Sequence, residues 1–67
     1  MQARVNGEEM ELSPEKTIAG LIQDITGSAE QRGLAVARNG EIVRRDEWLL
    51  PVEDGDEIEI VRAVQGG

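Results

Sequence analysis

The chain contains no cysteine, histidine, tyrosine or phenylalanine, and a single tryptophan. Without cysteine there is no disulfide, no thiolate metal ligand and no thiol nucleophile, so no covalent staple supports the fold. The lack also fits a reducing compartment. Without histidine the usual general base near neutral pH and the commonest metal ligand are missing, and a Ser/His/Asp arrangement is excluded. No G-x-x-x-x-G-K-[ST] phosphate loop occurs, so any nucleotide would have to be held by a partner. These absences together argue against an independent enzyme. No apolar stretch approaches a membrane span and no basic segment precedes an apolar one, so a cytoplasmic location is expected.

What is present is small and acidic. Sixty-seven residues, 39% of them hydrophobic, make one domain near the lower limit for a self-supporting core. Fourteen acidic residues against seven basic ones give a formal net charge of −7. That balance excludes the basic footprint of nucleic-acid or anionic-membrane binding. It suits a solvated surface or a partner with a basic face.

Hydrophobic periodicity divides the chain into short elements. Met1, Ala3 and Val5 alternate with Gln2 and Arg4, and Met10 and Leu12 alternate with Glu9 and Glu11. Asn6-Gly7 lies between them and suits the positive φ angles of a tight hairpin. After Ser13-Pro14, Thr17 is a predicted N-cap. Ile18, Leu21, Ile22 and Ile25 fall on one helical face, and Gly27 is placed to end the helix. Gly20 weakens such a helix, which a close approach to a sheet would justify. "GSAEQRG" reads as a loop and "LAVARNGEIV" as a second hairpin turned by Asn39-Gly40. "RRDEWLLP" reads as a turn or short helix laying Trp48 and Leu49 on the core. After the "EDGD" turn, "EIEIVRAV" returns to alternation, with Ile58 and Ile60 on one face and Glu57, Glu59, Val61 and Ala63 on the other.

The order β-β-α-β-β-β predicts an α+β architecture, the β-grasp, with one helix across one face of a mixed sheet of four to five strands. The expected domain is 1–64, followed by a flexible tail over 65–67. The other sheet face is left open.

Each candidate site has a plain structural reading beside the chemical one. "EDGDEIE" lacks the D-x-[DN]-x-[DN]-G-x₅-E spacing of a calcium loop, and a turn accounts for Asp54-Gly55-Asp56. No metal site is expected. Asp46 and Glu47 read as solvated carboxylates, and Trp48 as a packing anchor. Val61 and Ala63, on the open face, read as a docking patch with Glu59 at its rim and Gln65 following.

The final pair, Gly66-Gly67, is weak as an isolated feature. Its chemistry is more informative. A carboxylate acylates nothing until it is activated, for example as an acyl-adenylate. A tail that reaches a buried ATP must thread a narrow channel, and a Cβ beside the carbonyl would hinder attack. Two glycines remove both obstacles.

The stretches "MQARVNGEEMEL", "LAVARNGEIVRRDEW" and "DGDEIEIVRAVQGG" resemble the ThiS family, sulfur carriers of thiamine biosynthesis in the ThiS/MoaD group of ubiquitin-like proteins. Asn39 through Trp48 is the most discriminating part, being similar to the family's N-x-x-I-V-P-R-x-x-W. Arg44 departs from it, standing where the family usually has proline, and this is expected to loosen the chain before Trp48. The resemblance implies a ubiquitin-like β-grasp. It also implies that a ThiF-like adenylating enzyme converts the Gly67 carboxylate to an acyl-adenylate with ATP. A sulfur-donor protein then leaves a thiocarboxylate, and a ThiG-like thiazole synthase takes the sulfur. Gly66 and Gly67 would be the reactive tail, and the carrier itself would bind no cofactor and catalyse nothing alone. A carrier of the MoaD type, a ubiquitin-like protein modifier and a plain interaction domain remain as alternatives.

Overall fold

Two Asn-Gly turns set the register of the sheet. The computed structural model describes residues 1–27 and 33–62, so most of the loop after Gly27 and the segment from Ala63 onward lie outside it. Asn6 and Gly7 take φ of 50° and 84°, and Asn39 and Gly40 take 51° and 86°. Positive φ at both central residues matches the right-handed twist of the flanking strands. The first turn joins β1 (Gln2–Val5) to β2 (Glu8–Glu11), and the second joins β3 (Leu34–Arg38) to β4 (Glu41–Val43).

β5 (Glu57–Arg62) runs between the hairpins, parallel to β1 and antiparallel to β3, giving one five-stranded sheet in the order β2-β1-β5-β3-β4. Asn6 lengthens the β1–β5 contact beyond the strand itself. Its N–H donates to the Ile58 carbonyl at 2.9 Å, and its side-chain Oδ1 accepts the Ile60 N–H at 2.9 Å. A turn residue thus stands in for one more strand residue.

The helix α1 (Ile18–Thr26) begins where predicted: Thr17 Oγ1 accepts the Gly20 N–H at 3.0 Å. It stops at Gly27, which is left-handed and donates to the Gln23 carbonyl. Ile18, Leu21 and Ile22 are fully buried, packed in one core with Val5, Val36 and Ile58. Ile25, expected on the same buried face, is 40% exposed. Helical angle places it correctly, but it lies about 10 Å along the axis from Ile18. Periodicity names a face and says nothing about how far the covering layer extends. Gly20 also has another reason than the expected approach to the sheet. A Cβ there would lie 3.2 Å from Thr17 Oγ1, so glycine leaves room for the cap.

The segment before Trp48 is a 3₁₀ turn, Arg45–Glu47. It buries Trp48 to 4% exposure, with Nε1 directed at the Val43 carbonyl (3.4 Å) and the Arg45 guanidinium 4.6 Å from the ring centroid. Leu49, expected to pack beside Trp48, is 78% exposed. Successive residues in so tight a turn point about 120° apart, so burying one turns the next outward. Nor is the chain before Trp48 loosened. Arg44 holds φ −70°, which a proline would hold, and its N–H donates to Glu47 Oε1 at 3.1 Å, which a proline could not do. Among the described residues, no helix is long and apolar enough to cross a membrane.

Candidate functional site

The exposed face of the sheet is fixed by the pleat. Because Ile58 points into the core and Ile60 packs against it, Glu57, Glu59 and Val61 point to the other side, and all three are exposed. Val61 is 59% exposed. The structure therefore places Glu59 and Val61 together on the open face, as the alternation predicts. Ala63, Gln65, Gly66 and Gly67 lie outside the described residues.

Register adds neighbours that inspection of β5 alone does not find. Ala35 is opposite Val61, Ala37 is opposite Glu59, and Ile42 is opposite Ala37 on β4. These share the open face with Val61. Their signal was in the sequence, since Leu34 and Val36 alternate with Ala35 and Ala37, but only the pairing shows that they adjoin β5. On the β1 side the face turns polar. Arg4 pairs in register with Glu57 and with Glu9. Arg4, Glu9, Glu11, Asp54 and Glu57 border a shallow groove of about 690 Å³. The Glu11 carboxyl is held below its usual range by a hydrogen bond from the N-terminal amine, with help from Gln2.

The start of β5 is held by a buried carboxylate. Asp56 is 6% exposed; its Oδ2 accepts from Arg38 Nε and the Glu53 N–H, both at 2.8 Å, and its Oδ1 accepts from Asn39 Nδ2 at 3.1 Å. Arg38 also donates to the Pro51 carbonyl, and Asn39 Oδ1 accepts the Glu57 N–H at 2.9 Å. Burial pushes the Asp56 carboxyl up. The hydrogen bonds from Glu53, Arg38 and Asn39, with the Arg38 charge, outweigh that and leave it below the ordinary aspartate value. The "EDGD" segment is a turn, as expected, but sequence reasoning missed that Asp56 is the hub joining it to the second hairpin.

Three other acids have local partners. Asp54 Oδ1 accepts the Gln2 N–H at 2.9 Å, Glu47 accepts from Arg44, and Asp46 lies 3.6 Å from Arg44 Nε. Glu57 and Glu59 form no ion pair among the described residues.

Comparison with known proteins agrees with this fold. A model of the ThiS family matches residues 3–67. The sulfur carrier protein ThiS of Escherichia coli is 32% identical over the full length of both chains. A thiazole synthase of Paramagnetospirillum magneticum is 37% identical over 68 aligned positions, taking in all of this chain but 20% of that protein. The crystal structure of a thiamine biosynthesis protein (ThiS) from Geobacter metallireducens superposes with a TM-score of 0.70 at 25% identity, covering both chains completely.

Proposed function

The chain belongs to the ThiS family, the sulfur carriers of thiamine biosynthesis, and on that premise we propose that its working group is the Gly67 carboxylate. A partner adenylating enzyme supplies ATP. The carboxylate oxygen attacks the α-phosphate, pyrophosphate leaves, and a mixed anhydride with AMP forms. A persulfide on a donor protein then attacks the acyl carbon and AMP departs with the original oxygen, giving an acyl disulfide; a second thiol attacks the donor-side sulfur of that bond, which releases the thiocarboxylate and leaves a disulfide on the donor. A thiazole synthase accepts that sulfur. The chain's own part is to present the group and to be recognised. It has neither the base nor the phosphate loop to catalyse the steps itself.

The observation that carries this reading is where β5 delivers the tail. β5 is the central strand, paired on both sides, and its outward face carries Glu59 and Val61 just before the segment 63–67. Five residues span about 17 Å at most when extended. A partner that receives Gly67 in its active site must therefore sit close to the end of β5. The thiazole synthase relative, which contains a region like this entire chain, supports a synthase as the acceptor.

Deleting Gly67 tests the proposal. The truncated chain should melt at the parental temperature yet gain no sulfur when incubated with adenylating enzyme, ATP and a sulfur source. Intact mass reads the exchange of oxygen for sulfur directly. Gly66→Ala should slow the reaction without abolishing it, since one Cβ enters the channel. Sulfur gained by the truncated chain would refute the assignment, and a mass increase by a whole second protein would favour a modifier instead.

A further inference from the structure

The two Asn-Gly turns grip the same strand from opposite sides. Asn39 N–H donates to the Glu57 carbonyl at 2.7 Å, and its Oδ1 accepts the Glu57 N–H at 2.9 Å. Asn6 N–H donates to the Ile58 carbonyl and its Oδ1 accepts the Ile60 N–H, both at 2.9 Å. Each asparagine is thus a turn residue and a clasp on β5. They differ in the side-chain nitrogen. Asn39 Nδ2 donates to the buried Asp56 carboxylate at 3.1 Å, whereas Asn6 Nδ2 makes no hydrogen bond among the described residues.

An asparagine followed by glycine carries a latent reaction with water. Glycine has no Cβ to shield its backbone nitrogen, and at both turns no atom lies within 4 Å of where one would stand. A base in the solvent takes the Gly7 amide proton, and the nitrogen attacks Asn6 Cγ. A C–N bond closes a five-membered imide while the C–Nδ2 bond breaks, and Nδ2 leaves as ammonia with the proton that the glycine gave up. Water opens the ring at either carbonyl. Attack at the side-chain carbonyl gives aspartate, and attack at the main-chain carbonyl gives isoaspartate, whose main chain runs through Cβ and Cγ. The sum is asparagine plus water to acid plus ammonia, with nothing oxidised or reduced. In the folded chain the side chain must first leave its partners. Asn6 has one such bond to break and Asn39 has two, one of them to a charged acceptor.

We propose that Asn6-Gly7 is a deamidation site, converting ahead of Asn39-Gly40, and that its isoaspartate product unclasps β5. The aspartate product keeps an acceptor for the Ile60 N–H and adds one negative charge to a chain already at −7. The isoaspartate product lengthens a two-residue turn by one main-chain carbon, so Asn6 can no longer close the turn and meet both Ile58 and Ile60. β1 and β5 pair in register at Arg4↔Glu57 and Val5↔Ile58, so the Asn6 clasp is a large share of what joins them. This is chemistry of the chain with solvent and does not depend on the carrier reading.

Incubating the full chain at mildly alkaline pH, with peptide mapping and enzymatic carboxyl methylation to count isoaspartate, tests this. In urea, where neither clasp exists, both pairs should convert at one rate. In the folded chain Asn39 should convert at least about tenfold more slowly than Asn6, because one more charge-assisted bond must open. Asn6→Gly suits the turn and has no amide, so it should abolish product at that position alone. The isoaspartate form, separated by ion exchange, should melt at least about 5 °C below the parent, and the aspartate form within about 2 °C of it. Folded rates that are equal at the two pairs or faster at Asn39 would refute the site. So would an Asn6 that stays intact in the folded chain while the chain in urea converts. An isoaspartate form that melts like the parent would refute the clasp.

Discussion

Replacing Asp56 by alanine should come close to unfolding the protein. Its carboxylate receives Arg38, Asn39 and the Glu53 N–H in a site 6% exposed. Alanine leaves the guanidinium with the Pro51 carbonyl and a distant Glu53 carboxylate at 4.0 Å, and leaves two further donors unanswered. Breaking a buried pair by removing one partner costs about 3–5 kcal/mol. A domain of this length has a total stability of about 3–10 kcal/mol, at about 0.05–0.15 kcal/mol per residue. Because Arg38 keeps some solvent contact, the lower end, about 3 kcal/mol, is the better expectation.

For so small a domain that corresponds to a drop in Tm of well over 10 °C, readable by circular dichroism. Asp56→Asn keeps the shape and some of the acceptors, and should lose less. The acid limb of stability supplies a second reading. A carboxyl whose folded pKa lies below its unfolded value of about 3.8 stabilises fully above that value and progressively less as pH falls through the folded pKa. The parent should therefore lose stability below about pH 4, and Asp56→Asn should flatten part of that loss. A Tm within 2–3 °C of the parent for Asp56→Ala, about 0.5 kcal/mol or less, would refute the hub.

Leu21→Ala removes a fully buried side chain and should cost about 2–5 kcal/mol, enough to leave much of the protein unfolded at 37 °C in a thermal melt. Arg44→Pro should leave Tm nearly unchanged. The φ is already suitable, and the lost hydrogen bond to Glu47, about 1 kcal/mol, is offset by the stiffer unfolded chain. Val61→Asp should weaken binding to the adenylating enzyme in a titration while melting like the parent. Raising salt should slow association of the parent in stopped flow, since the acidic surface steers it.

The elements were legible because their signals are local. Asn-Gly at both hairpins, Thr17 before the helix and Gly27 after it each specify a backbone conformation within a few residues. What escaped depended on distance. Ile25 has the right helical angle but sits at the far end of the helix and is 40% exposed. Leu49 follows a buried tryptophan in a turn too tight to bury both. Asp56 looks like any turn aspartate until the second hairpin brings Arg38 and Asn39 to it across 18 and 17 positions of chain. The site divides in the same way. Glu59 and Val61 follow from alternation within one strand, whereas Ala35, Ala37 and Ile42 belong to the face only through pairing. Arg44 shows the reverse case, a departure from the family pattern that the backbone absorbs without change of shape.

The central place of β5 has a consequence for the order of events during synthesis. Without β5 the sheet separates into two hairpins, β2–β1 and β3–β4, that share no hydrogen-bonded edge. Isolated hairpins are marginal in water, so the ribosome can release most of the chain before any sheet is possible. Pairing β5 with β1 closes a loop of more than 50 residues, the slow and non-local step of folding. Pairing β5 with β3 assembles the face carrying Val61 and Ile42. The strand that completes the fold is also the one that leads into the tail. An incompletely folded chain therefore lacks the outward face that bears Glu59 and Val61, so a partner that recognised that face would accept only the folded form.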